Sequence, residues 1–215
     1  MSTTELQFWF EFGSTYSYLS ASRIEEVVAA AGDVSLSWEP FLLGPIFEEQ
    51  GWDDSPFNLY PAKGRYMWRD MERLCERYGL PFVRPSRFPR SGVLASRVAC
   101  LAAASSEEWL PEFVRAVFRA NFAEDREISE SRVIGSILDS LGQPGEHLIE
   151  KALSPENKRC LRTQTERAGR LGIFGAPSFV VGEELFWGND RLEDAVAWAS
   201  STGADPALRL RPRQP

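Results

Sequence analysis

Strand-like alternation occurs in two places in this chain, near its beginning and near its end, and the long stretch between them reads as helix. Leu6, Phe8, Phe10 and Phe12 alternate with Gln7, Trp9 and Glu11 up to Gly13, a period of two that lines one face of a strand with apolar side chains. From Ser17 onward, Ile24, Val27, Val28 and Ala31 keep helical spacing until Gly32 and Asp33, where glycine stops a helix. Val34, Leu36 and Trp38 then alternate toward Pro40. Strand, helix and strand in so short a span make a βαβ unit, whose crossover is right-handed and leaves its strands parallel. From about Leu43 to Leu171 helical patterns follow one another. Met67 to Tyr78 stops at Gly79, a small-residue stretch runs from Val93 to Ala104, and Phe113 to Phe118 and Val133 to Leu141 mark two more. Ser154-Pro155-Glu156 supplies the N-cap, first-turn proline and acidic first turn of a long last helix. Ser178 to Val181 and Leu185 to Trp187 flank Gly182-Glu183-Glu184 as a β-hairpin. Leu192, Ala195, Val196 and Ala199 form a closing helix. The order predicts an α/β fold: a discontinuous sheet domain from residues 5–42 and 172–201, an all-helical insertion over 43–171, and a C-terminal tail over 202–215.

Charge and residue usage narrow the function classes. A formal net charge of -7 leaves no basic field for nucleic acid. No apolar stretch approaches the roughly 18 residues that span a bilayer, and Met1 to Gln7 lack a basic flank followed by an apolar run. A cytoplasmic protein with no membrane or nucleic-acid partner is expected. Cys75, Cys100 and Cys160 are odd in number and far apart in sequence, which suggests neither a disulfide framework nor a zinc site. All three fall at helix-type positions, as small buried residues do. The single histidine, His147, has no second His or Cys near it, and no Gly-x-Ser-x-Gly elbow is present; hydrolase and metal chemistry are therefore not expected.

Open sheets with parallel strands bind ligands outside the carboxyl ends of those strands. That places the first candidate site at Gly13-Ser14-Thr15-Tyr16-Ser17.

The order of elements and a set of motifs resemble a known family. Phe10-Glu11-Phe12-Gly13-Ser14-Thr15-Tyr16-Ser17-Tyr18-Leu19, Pro40-Phe41-Leu42-Leu43-Gly44, Lys63-Gly64-Arg65-Tyr66, Phe174-Gly175-Ala176-Pro177-Ser178-Phe179 and Phe186-Trp187-Gly188-Asn189-Asp190-Arg191 are similar to segments of 2-hydroxychromene-2-carboxylate isomerases. These enzymes share a DsbA-like thioredoxin fold with kappa-class glutathione transferases. The resemblance implies a thioredoxin-like domain carrying the helical insertion, reduced glutathione as cosubstrate, an aromatic or unsaturated oxo-acid as substrate, and a homodimer. It also implies that Ser14 stabilises the glutathione thiolate. Lys63 would face the glycyl carboxylate, and Ala176 before a cis Pro177 would offer backbone to the cysteinyl part. Asn189 and Asp190 would hold the γ-glutamyl end.

The residues themselves support part of this and leave alternatives open. Redox thioredoxin-like proteins carry Cys-x-x-Cys where this chain has Ser14-Thr15-Tyr16-Ser17, and a serine pair cannot exchange disulfides. The oxidoreductase reading therefore fails at its reactive atoms. Ser14 also suits an ordinary helix N-cap, and Asn189-Asp190 a cap with an acidic first turn. Pro177 suits the start of an edge strand. Lys63, one of three lysines with Lys151 and Lys158, suits a solvated helix face. Trp38, Trp52, Tyr66 and Trp187, with Phe41 and Trp68, are candidates for an apolar substrate pocket or for plain core packing. Arg84, Arg87 and Arg90, in a proline-broken loop, suit either a substrate carboxylate or solvent. Two departures from the family pattern stand out: Thr15 replaces the usual proline, and Trp52-Asp53-Asp54 lies where relatives have an asparagine. Three readings follow: a glutathione-dependent isomerase, a kappa-like transferase that releases stable conjugates, and a non-catalytic thioredoxin-fold binding protein.

Overall fold

A computed structural model describes residues 3–204. Strand β1 (Thr4–Phe10) leads into α1 (Thr15–Ala21), α2 (Ile24–Ala31) and β2 (Val34–Pro40). Eight helices follow: α3 (Leu43–Glu49), α4 (Pro56–Leu59), α5 (Pro61–Tyr78), α6 (Val93–Ala104), α7 (Leu110–Phe122), α8 (Ser131–Ser140), α9 (Gly145–Ala152) and α10 (Pro155–Arg170). The chain returns to the sheet as β3 (Ser178–Val181) and β4 (Glu184–Trp187) and closes with α11 (Leu192–Ala204). The sheet order is β2-β1-β3-β4, with β1 parallel to β2 and antiparallel to β3. This is the thioredoxin-like arrangement with a helical insertion that the element order predicts.

Two boundaries differ from the sequence reading. The single helix expected from Ser17 to Ala31 is broken at Ser22–Arg23, where the Ser22 hydroxyl and N–H both turn back to the Tyr18 carbonyl. The guanidinium of Arg23 instead lies 3.9 Å from the centre of the Tyr78 ring. The closing helix runs to Ala204, into the segment expected as tail; Ala207 to Pro215 lie outside the described residues. Among the described residues no helix is long and apolar enough to cross a membrane.

An aromatic row crosses the sheet. Trp38 on β2 stands opposite Phe8 on β1, Phe8 opposite Phe179 on β3, and Phe179 opposite Phe186 on β4. The Phe8 ring centre is 5.2 Å from that of Trp38 and 5.5 Å from that of Phe179, within the range in which aromatic pairs contribute beyond their buried area. Phe10, Phe12 and Phe118 extend the cluster into the insertion, so sheet and helical block share a continuous core. The other face carries Trp9 and Val180, packed under Phe41, Ile46, Ala168 and Ile173. Trp38 thus belongs to the core and does not reach the candidate site. Its alternation with Val34 on the buried side of β2 turns it toward Phe8 and Phe10. Phe41 is likewise enclosed, against Trp9, and Trp68 packs on Phe82 and Phe88.

Because Phe8 is fully buried with an aromatic neighbour on each side, Phe8→Ala is expected to cost about 3–5 kcal/mol of stability. Urea unfolding of the two proteins measures it. A loss within about 0.5 kcal/mol, typical of a surface position, would contradict the packing described.

Candidate active site

Beyond the carboxyl end of β1 lies a cavity of about 1180 Å³, bounded by the β1–α1 loop, the segment from α3 to the start of α5, residues 88–93, and the stretches 174–177 and 187–191. Sequence segments from both ends of the chain meet here because β1 pairs with β3: the loop leaving β1 and the loop entering β3 become neighbours. Ser14 donates its hydroxyl to the carbonyl of Ala176 at 2.9 Å. The same oxygen accepts the N–H of Ser17 at 3.2 Å, so Ser14 is the N-cap of α1. The Ala176–Pro177 bond is cis. Thr15 is held by its buried hydroxyl, which donates to Met67 Sδ on α5 at 3.3 Å. Ser17 is fully buried, and its hydroxyl has no partner.

Ser14, Trp52, Lys63, Tyr66, Ala176, Pro177, Trp187, Asn189 and Asp190 line this cavity, whereas Trp38, Phe41 and Trp68 do not. Lys63 is exposed near the start of α5, its Nζ 5.5 Å from the centre of the Phe57 ring. Among the described residues no carboxylate lies within ion-pair distance of it. Asn189 is buried, and its amide oxygen accepts from Ser20 Oγ at 3.1 Å and from Arg23 Nη1 at 3.5 Å. Its oxygen therefore ties the cavity wall to α1 and does not point to solvent. Asp190 stands open at the rim with its side chain 75% exposed, 3.4 Å from Arg191 Nη2. Asn189 to Arg191 form a 3₁₀ turn before α11, where the sequence suggests a simple cap. Trp52 packs on Phe47 at 5.4 Å between ring centres, and Tyr66 is largely exposed. Trp187 pairs with Phe174 at 4.9 Å over Gly175, where a Cβ would come within 2.3 Å of the indole nitrogen. These half-exposed rings form an apolar rim around a floor of backbone and polar groups.

The three loop arginines part company. Arg84 stacks over Trp68, and Arg87 reaches toward Glu127. Arg90 is buried and committed to Asn121, Ser86 and Asp125. With its guanidinium so engaged, Arg90 braces the 84–90 loop and is not free for a substrate carboxylate.

Glu11 was not singled out by the sequence pattern, which reads it as an outward residue in the alternation of β1. It lies one residue beyond the strand, on the cavity wall. Its carboxylate accepts the Gly13 N–H at 2.9 Å. Gly13 and Gly92 make room for it: a Cβ on either would stand 2.9 Å and 3.3 Å from its oxygens. Burial without a cation beside it pushes its carboxyl up from an ordinary 4.5 to about 7. Cys75 is buried in α5, its thiol pushed up to about 11 by burial. Cys100 and Cys160 are on α6 and α10, and none of the three lines the cavity. His147 is exposed on α9. Among the described residues no cluster of three or more His, Cys, Asp or Glu is arranged to hold a metal.

Comparison with known proteins agrees with this geometry. The family model of the DSBA-like thioredoxin domain matches residues 5–197. The chain belongs to this family. A 2-hydroxychromene-2-carboxylate isomerase of Sphingobium xenophagum is 26% identical over 193 residues, spanning 89% of this chain and 95% of that protein. Human glutathione S-transferase kappa 1 is 27% identical over 173 residues, 75% of this chain and 76% of that one. The solved structure of a 2-hydroxychromene-2-carboxylate isomerase superposes with a TM-score of 0.81 at 22% identity, covering 97% of this chain and all of the other. This member of the DSBA-like family thus keeps the fold with serine at both ends of Ser14-Thr15-Tyr16-Ser17.

The acid of Glu11 sets a pH dependence. Its folded-state pKa lies above its unfolded value, so between about pH 4.5 and 7 the folded chain holds more protons than the unfolded one. Stability therefore falls as pH rises through that window. Glu11→Gln, neutral throughout, is expected to match the parent at pH 4.5 and to exceed it by up to about 3 kcal/mol at pH 8. Denaturant unfolding across this pH range checks the difference; parallel pH profiles would contradict it.

Proposed function

We propose that this protein is a glutathione-dependent isomerase of unsaturated or aromatic oxo-acids. The observation that carries the reading is the placing of Ser14 against the carbonyl of Ala176 beside cis Pro177, in a cavity that no cysteine lines. A thioredoxin-type site without its own thiol calls for a sulfur brought by the ligand, and the residues present suit a zwitterionic tripeptide. Ala176 offers backbone beside Ser14, Lys63 offers a cation with no ion-pair partner among the described residues, and Asp190 offers an exposed carboxylate for an ammonium. A volume of about 1180 Å³ exceeds the roughly 300–1,000 Å³ of a single small-molecule site, which leaves room for a second molecule under Trp52, Tyr66 and Trp187.

When bound, glutathione supplies a thiolate that adds to a conjugated carbonyl compound, turns a double bond into a rotatable single bond, and is released unconsumed. The protein's share is to favour the thiolate. Ser14 has one hydroxyl proton, given to the Ala176 carbonyl in this structure; a thiolate in the cleft competes for it as the stronger, charged acceptor. Because α1 has only seven residues, its dipole adds less than a long helix would, and more of the stabilisation falls on the hydroxyl. A free thiol with pKa about 8.5 is a few per cent ionised at pH 7, and lowering it by roughly two units, about 2.7 kcal/mol, makes the thiolate dominant. The similarity to human glutathione S-transferase kappa 1 supports a second reading, a transferase releasing a stable conjugate. Net consumption of glutathione separates it from isomerisation.

Calorimetric titration with reduced glutathione in two buffers of different ionisation enthalpy tests the proposal. Binding with proton release near pH 7 is expected, and binding without release, or none, would overturn it. Ser14→Ala is expected to raise the pKa of the bound thiol by about 1–2 units while costing about 1–2 kcal/mol of stability through the lost cap. Thiolate absorbance against pH reads the first and urea unfolding the second.

A further inference from the structure

Away from the cavity, two helices of the insertion bring a pair of thiols together. Cys100 on α6 and Cys160 on α10 have their Sγ atoms 2.7 Å apart. The alignment of the helices is pinned one turn away, where Asn157 Nδ2 donates to the carbonyl of Arg97 at 2.8 Å. Both thiols are free; Cys100 is 4% exposed, whereas Cys160 keeps partial access to solvent. Burial, then the hydrogen bond shared with Cys160, holds the Cys100 thiol protonated well above its ordinary range. The exposed member is therefore the one that meets a solute, and the buried one is the neighbour at hand to react with it.

We propose that Cys100 and Cys160 form an oxidative modification site, a dithiol that a hydroperoxide closes to a disulfide and a small dithiol reopens. The Cys160 sulfur attacks the hydroperoxide: an S–O bond forms, the O–O bond breaks, and the thiol proton leaves on the departing alcohol or water. The Cys100 sulfur then displaces that oxygen; the S–S bond forms, the S–O bond breaks, and the Cys100 proton leaves with it as water. Two thiols are oxidised by two electrons, and one hydroperoxide is reduced to an alcohol and water. The bridge closes a long loop, from α6 to α10, and so restricts the unfolded chain. It also ties two walls of the cavity from behind. Residues 91–93 lead into α6, and α10 runs on toward Phe174–Pro177 while its Thr165 hydroxyl accepts the Leu42 N–H at 3.2 Å. The proposal is independent of glutathione binding at Ser14.

The whole chain is treated with hydrogen peroxide, and its mass, thiol content and melting temperature are read. The intact mass is expected to fall by about 2 Da, with peptide mapping without reductant linking Cys100 to Cys160 and leaving Cys75 free. The melting temperature is expected to rise by about 5–15 °C, and dithiothreitol is expected to reverse every change. In Cys100→Ser, oxidation is expected to stop at a sulfenic acid on Cys160 that dimedone traps; in Cys160→Ser, Cys100 is expected to stay reduced. Retention of three free thiols, a bridge that includes Cys75, or stepwise oxygen addition without a bridge would overturn the proposal, and each is read on the unmodified sequence without recourse to a variant.

Discussion

Strand β1 is hydrogen-bonded on both sides, to β2 in parallel and to β3 in antiparallel register, and the rest of the molecule depends on that double pairing. Its Phe8 belongs to the row Trp38–Phe8–Phe179–Phe186, which ties the first and last parts of the chain across the intervening helices. Fully burying one such ring stabilises by roughly 1.5–3 kcal/mol. Register therefore matters at the row: a slip of one residue would turn Phe8 to the face that Trp9 occupies and break the packing on both faces of the sheet. The same register brings the loop after β1 beside the loop before β3, so that Ser14 reaches Ala176. Packing and site geometry have one origin.

The residues around that junction divide between fixing shape and remaining open. Thr15, Asn189 and Arg90 spend their polar atoms on Met67, on Ser20 and Arg23, and on Asn121 and Asp125. Each braces a wall. Lys63, Asp190, Tyr66 and Trp187 stay exposed at the rim. Glu11 belongs to neither group: it is held by one backbone N–H and lacks a cation, so its charge is costly whenever the pH allows it. Glycines at 13 and 92 leave the space it occupies, and their side-chain-free backbone makes such a carboxyl possible beside the Ser14 turn.

Much of this was legible in the residues. The two strands of the opening unit, the helical middle and the closing hairpin follow from periodicity because buried faces impose it on sequence. The motifs around Ser14, Lys63, Ala176-Pro177 and Asn189-Asp190 line one cavity. Other features carried no local mark. The break at Ser22–Arg23 leaves the apolar spacing of Ile24, Val27 and Val28 intact, so the period alone continues through it. Trp38 is a pocket candidate by its aromatic type alone, whereas its alternation with Val34 places it on the core side, against Phe8. Glu11 looked like the polar partner of Phe10 and Phe12, and only the turn immediately after it shows that β1 has ended. The meeting of Cys100 with Cys160 is a tertiary event between two helices, which no spacing within either one encodes.

Replacing sulfur by oxygen at the head of α1 leaves the scaffold's electrostatics in place while removing its redox chemistry. A cysteine there would be both the acceptor of first-turn N–H groups and the nucleophile. Ser14 keeps the first part, accepting the Ser17 N–H, but its hydroxyl is given to the Ala176 carbonyl and not to a base that would make it a nucleophile. Its proton is instead a donor, engaged with the Ala176 carbonyl, the atom that marks where an anionic acceptor of similar position would sit. The cavity thus presents the Ser14 hydroxyl, the Ala176 carbonyl and cis Pro177 side by side, with no cysteine among its lining residues. On the function proposed above, the step from disulfide exchange to thiol activation needs no new architecture, only a reactive atom brought by the ligand in place of one on the chain.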